Sequence, residues 1–137
     1  MNPMLANNLY AQYQQTQIET APPERLLLML YDGAIRFGNT AKLAIENKDT
    51  QGANNYCIKV QNILTELMVT LRMDVGGDIA QNLFDLYEYM LHRMVQANVN
   101  KDPKPVEEVV GHLKELREAW GQAAKNLGAL KSAQATA

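Results

Sequence analysis

The sequence predicts an all-α chain folded as an antiparallel up-down-up-down four-helix bundle, with a short N-terminal segment packing on it. Three observations carry this prediction. Leu (17) and Ala (16) far outnumber the β-branched Val (8) and Ile (6), and Ala and Leu are among the better helix formers. Apolar residues recur at spacings of three and four in four separate stretches, the period of a helix with a buried face. Short polar turns join those stretches, and short connections between helices make neighbours antiparallel.

Residues 1–19 are polar and amide-rich, punctuated by Met4, Leu5, Leu9, Tyr10, Tyr13 and Ile18. They show no strong stripe and read as a flexible segment able to dock on the bundle. Pro22 and Pro23 mark the start of a first helix over about 22–46, because proline suits the first helical turn, where its missing N–H would be unpaired anyway. Its stripe is read as Leu26, Leu30, Ala34, Phe37, Ala41 and Leu43–Ile45, with Leu27, Leu28, Tyr31 and Ile35 on the neighbouring faces. A helix apolar over more than one stripe is covered on more than one side.

Asn47-Lys48-Asp49-Thr50 forms the first turn, with Asp49 or Thr50 as cap. The second helix, about 50–72, carries Tyr56, Val60, Ile63, Leu64, Leu67 and Leu71. Asp74-Val75-Gly76-Gly77 breaks it, and Asp78 is expected to cap a third helix, 78–100, in a box with Gln81. That helix shows one stripe of Ile79, Leu83, Leu86, Tyr87, Met90 and Met94, and a second of Phe84, Leu91 and Val95. Asp102 caps the fourth helix, 103–126, with Pro103 at its first position and Val106, Val109, Val110, Leu113, Leu116, Trp120 and Ala123 on its stripe. Residues 127–137 are small and uncharged apart from Lys131 and are expected to be a disordered tail. The whole is read as a single domain over 1–126.

Composition excludes several chemistries. With 13 basic and 15 acidic residues the net charge is −2, and no basic face or stripe is visible, so nucleic acid is not an expected partner. One Cys gives no disulfide within the chain and no cysteine metal cluster. Ser132, in the tail, is the only serine, which argues against a serine nucleophile. The longest apolar run, Leu26 to Tyr31, is far short of the ~20 residues that cross a bilayer. No secretory leader is seen, so a cytoplasmic protein is expected.

Glu88 with His92 and Glu108 with His112 are the possible metal pairs. Both are spaced i to i+4, whereas di-metal bundles use Glu-x-x-His with further glutamates. They read as solvated side chains, and no metal or cofactor is expected. Cys57 reads as a small buried side chain. The more telling feature is surplus apolar surface: seven Met, 47% hydrophobic residues overall, and two double-faced helices. Leu27, Leu28, Tyr31, Ile35, Phe84, Leu91 and Val95 need a cover from residues 1–19, a second copy, or a partner laid into a groove.

Specific segments then resemble the flagellar secretion chaperone FliS family. Tyr13-Gln14-Gln15 leads to Thr20-Ala21-Pro22-Pro23 and to Leu28-Met29-Leu30-Tyr31-Asp32-Gly33-Ala34-Ile35-Arg36-Phe37. Ile63-Leu64-Thr65-Glu66-Leu67, Gly76-Gly77-Asp78-Ile79-Ala80, Asn82-Leu83, Leu86-Tyr87-Glu88-Tyr89-Met90, Ala97-Asn98 and Arg117-Glu118-Ala119-Trp120 follow in order. The resemblance covers about residues 10–126. One departure is Pro22, where the family usually has a capping Ser or Thr; losing a cap costs about 1 kcal/mol.

The resemblance implies a non-enzymatic chaperone that needs no ATP. Such a chaperone binds the disordered C-terminal segment of new flagellin, prevents its premature polymerisation, and helps deliver it to the flagellar type III export apparatus. It also implies that the N-terminal segment lies over the bundle where flagellin binds. From motif membership and apolarity, the expected contact residues are Tyr10, Tyr13, Leu27, Leu28, Tyr31, Ile35, Leu64, Leu67, Leu71, Leu83 and Tyr87. Monomer and homodimer stay open. The competing readings are a metal-dependent bundle enzyme and a helical adaptor that only self-associates.

Overall fold

The structure, a computed structural model, describes residues 23–123. They form four helices: α1 (Pro23–Glu46), α2 (Thr50–Val69), α3 (Gly77–Asn100) and α4 (Pro103–Ala123). The helices make a closed ring in which α1 packs on α2 and α4, and α3 packs on the same two. Named contacts fix the directions. Asp32 meets Arg117 and Lys42 meets Glu107, so ten residues forward on α1 are ten back on α4. Phe37 meets Tyr56 while Gly33 faces Ile63, which makes α1 and α2 antiparallel as well. The expected up-down-up-down bundle is the fold.

The turns explain where the helices begin and stop. Asp49 caps α2, its Oδ1 accepting from the Gly52 amide at 3.0 Å. Asp102 caps α4 in the same way through the Lys104 amide, also at 3.0 Å. Lys101 closes α3 in the left-handed conformation, φ 51°. That position usually falls to Gly; here the Lys101 ammonium folds back onto the Asn98 carbonyl at 2.7 Å.

Three local expectations are corrected. α2 ends at Val69 with Thr70 as its C-cap, so Leu71 lies past the helix, though it is buried. Asp78 does not cap α3: Gly76 holds the N-cap position with no side-chain bond, and Gln81 donates to Asp85 at 2.9 Å instead of closing a box. Gly77 enters the helix at φ +55°, a conformation open to glycine without strain. Ile79 is not core but 55% exposed, and Ala80 takes the buried position. Ala80, Tyr87, Met90, Met94 and Ala97 are the residues α3 buries, whereas Leu83 and Leu86 are half-buried.

The seam of α1 keeps Leu30, Ala34, Ala41, Ala44 and Ile45 of the expected stripe and turns slightly toward Leu27 and Tyr31. Leu27, Leu30, Tyr31, Ala34, Ala41 and Ile45 are buried, while Leu26 and Phe37 are half-buried and Leu43 is 58% exposed. An apolar arc this wide satisfies a 3.6 period in either setting. Polar pairing selects one of them. The Tyr31 and Tyr87 hydroxyls share a hydrogen bond across the diagonal of the bundle, and Trp120 Nε1 donates to the Tyr31 hydroxyl at 2.9 Å. Together the three residues tie α1, α3 and α4 from inside.

Helix approach also depends on a missing side chain. A Cβ at Gly38 would stand 2.6 Å from Val110 Cγ2, so the glycine is what lets α1 and α4 close.

Candidate partner-binding surface

The expected contact residues divide by burial. Tyr31, Leu64, Leu67 and Tyr87 have no exposed surface, and Leu27 and Leu71 are buried as well. They are core in this state of the bundle. Leu28, Ile35 and Leu83 are half-buried and pack on the core from outside. Tyr10 and Tyr13 lie outside the described residues.

Burial sets the chemistry of the core groups. It pushes the Tyr31 hydroxyl well above the ordinary tyrosine range, with the adjacent Tyr87 reinforcing the effect. Tyr87 is pushed up to about 12, again mainly by burial. Both are neutral hydrogen-bonding groups over the ordinary pH range. Burial also pushes the Cys57 thiol up to about 11, which makes it a packing residue with little thiolate character.

Glu108 is not a loose surface carboxylate. It accepts from the Tyr89 hydroxyl at 2.5 Å and from Arg93 Nε at 2.7 Å, linking α3 to α4. Those two bonds, Tyr89 first, hold its carboxyl below the usual range. His112 Nε2 stands 3.7 Å away on the same helix. Glu88 and His92 are both exposed. Among the described residues no three His, Cys, Asp or Glu gather as a possible metal set.

What the bundle leaves on its surface is apolar. Val69, Met73, Val75 and Ile79 are exposed around the α2–α3 connection, with Val69 at 72%. Val95 and Val99 are exposed on α3, beside half-buried Leu91. The face between α1 and α2 is more organised. Leu26, Met29 and Phe37 are half-buried on α1, with Gly33 buried between them against Ile63, opposite Tyr56, Lys59 and Ile63 on α2. The Phe37 and Tyr56 rings are tilted with centroids 6.0 Å apart. The Lys59 ammonium sits over both, 4.9 Å from one centroid and 4.8 Å from the other. The Arg36 guanidinium lies 5.5 Å from the Phe37 centroid.

Sequence reasoning placed Leu26, Phe37, Tyr56 and Ile63 in the core stripes, so this face was missed. Its one legible signal is a lysine three residues after Tyr56 and four before Ile63, on the edge of an otherwise apolar stripe.

A bundle with surplus apolar faces and little reactive chemistry narrows the comparison with known proteins. The family profile described as "Flagellar protein FliS" matches residues 6–127. The chain belongs to the FliS family. The flagellar secretion chaperone FliS of Bacillus subtilis (strain 168) is 41% identical over 120 residues, covering 88% of this chain and 89% of that protein. The flagellar secretion chaperone FliS of Salmonella typhimurium is 38% identical over 115 residues, covering 82% and 85%. That of Campylobacter jejuni is 34% identical over 123 residues, covering 89% and 96%. A structure titled "Crystal structure of flagellar chaperone from bacteria" superposes with a TM-score of 0.72 over 87% of this chain and 97% of that one, at 22% identity, and so shares the fold. FliS proteins are named as chaperones, a non-enzymatic family. No helix among the described residues is long and apolar enough to cross a membrane.

Proposed function

We propose that this FliS-family chain is a cytoplasmic chaperone that binds the disordered C-terminal segment of flagellin, keeps it from polymerising, and hands it to the flagellar export apparatus. The family match over residues 6–127 is the observation that carries the reading. Physical support comes from the surface. Leu28 and Ile35, Phe84 and Leu91, and Phe37 with Tyr56 are apolar side chains that only half enter the core. A disordered tail that folds onto such faces loses conformational entropy, and burial at about 25 cal/mol per Å² offsets that loss. Neither step requires nucleotide.

The test is to titrate the protein with a peptide of the flagellin C-terminal segment. Calorimetry is expected to give a one-to-one complex, and circular dichroism a rise in helicity beyond the sum of the parts. No heat and no helicity change at micromolar concentrations would overturn the reading.

A further inference from the structure

We propose that residues 124–131 continue α4 past Ala123 and lay Leu127 and Leu130 over the apolar end of the bundle, on Ile79 of α3 and on Met73 and Val75 of the α2–α3 connection. The occupant of that patch is the chain's own C-terminal segment, which lies outside the described residues. The patch is then a contact within the chain and is closed to other proteins.

The patch begins as a gradient along α3. Met90, Leu86, Leu83 and Ile79 follow one another at steps of four and three, which keeps them on one face of the helix. Met90 has no exposed surface, Leu86 and Leu83 are half-buried, and Ile79 is 55% exposed. The same line runs one turn the other way to Arg93, whose Nε meets Glu108 of α4. This is therefore the side α3 turns toward α4, and its cover runs out toward the end of the bundle.

The layer of Tyr31, Tyr87 and Trp120 shows why. The Tyr31 hydroxyl bonds to both other residues, so the three stand level. From this layer α1 reaches back about two turns to Pro23, and α3 nearly three turns to Gly77. The described part of α4 goes about one turn past Trp120, to Ala123. Ile79 lies about two turns before Tyr87, and the residue about two turns beyond Trp120 in the antiparallel α4 is Leu127. Helical side chains lean toward the N-terminus of their helix, so Ile79 leans outward, toward the level of Leu127 and Leu130. Met73 and Val75, 45% and 54% exposed, lie at that same end.

The sequence beyond Ala123 has the pattern such a seat needs. α4 buries Val106, Val109, Leu113 and Trp120, with Leu116 and Ala123 half-buried. Along the helix these residues alternate steps of three and four, and Leu127 and Leu130 carry the alternation on without a break. Gly128 between the two leucines lowers helix propensity, so the seat and not propensity holds the segment. Charge also selects this end of the chain. Asp78, beside Ile79, is exposed and has no ion pair with a described residue. The charged side chains of residues 124–137 are Lys125 and Lys131, whereas residues 1–22 carry Glu19 alone. Lys131 would also stand in the last turn of the lengthened helix, where the helix dipole favours a cation.

The experiment uses the full chain. In Ile79→Cys/Leu127→Cys, mild oxidation is expected to join the two new cysteines within one chain, with Cys57 buried and out of reach. Val99→Cys/Leu127→Cys, whose first cysteine is about 30 Å further along α3, should give at least tenfold less. Trypsin should cut after Lys125 and Lys131 at least tenfold more slowly in the parent than in Leu127→Gln/Leu130→Gln, with Tm and helicity recorded to show both folded. Should the double variant prove unfolded, Leu130→Gln alone supplies the comparison.

Equal cleavage in parent and variant would overturn the inference, as would a 79–127 yield no greater than the 99–127 yield. A disulfide formed only between two chains would assign the patch to a second copy, with the same result. None of these measurements involves the flagellin peptide, so their failure leaves the chaperone reading standing.

Discussion

Trp120 Nε1 donates a 2.9 Å hydrogen bond to the hydroxyl of Tyr31, 89 positions earlier in the chain and buried with it. The same hydroxyl bonds to that of Tyr87. Removing one hydroxyl from this set leaves a buried partner short of a bond, which costs about 1–3 kcal/mol. Tyr31→Phe and Tyr87→Phe should each lower stability by that amount in urea unfolding. The double variant should lose less than the sum, because the shared bond is counted in both singles. Additive losses would mean the two hydroxyls are not coupled.

Two glycines on α1 should respond to alanine with opposite signs. Gly38→Ala places its Cβ 2.6 Å from Val110 Cγ2, and crowding of this kind costs about 1–3 kcal/mol, more than the ~1 kcal/mol of helix propensity it gains. Gly33→Ala meets only ordinary contact and should raise stability by about 0.5–1 kcal/mol. Thermal melts of the two variants would settle both signs.

Alkaline pH should weaken the fold. Burial raises the folded-state values of Tyr31 and Tyr87, the latter to about 12. An unfolded tyrosine titrates near 10. The unfolded chain therefore loses these protons first, and the raised groups contribute full stability only below that value. Denaturation midpoints are expected to hold up to roughly pH 10 and then fall steadily toward pH 12. In Tyr31→Phe/Tyr87→Phe the fall should be shallower.

Cys57 should resist labelling in the native protein. It is fully buried and its thiol is pushed up to about 11. A disulfide reagent at pH 8 should react only as fast as the bundle opens, and at once in denaturant. Rapid native labelling would show that α2 separates from its neighbours far more readily than its burial implies.

The apolar periodicities of the chain, the Asp49 and Asp102 caps and the Pro103 start are local signals. They suffice to set four helices and their antiparallel order, because short turns leave few alternatives. The family motifs are local too, and they point to the chaperone family without any coordinates. Tertiary structure decided which way each helix faces. On α1 the apolar arc is wide enough for two settings, and no local rule prefers Leu27 and Tyr31 over Leu26 and Phe37. The choice falls to partners distant in sequence: Tyr87 and Trp120 draw Tyr31 inward, and Val110 admits α1 only at Gly38. Turning the helix in this way sends Phe37 outward to meet Tyr56 and Lys59. The surface left for a partner is thus a consequence of how the core was satisfied, and that depends on groups 56 to 89 positions away.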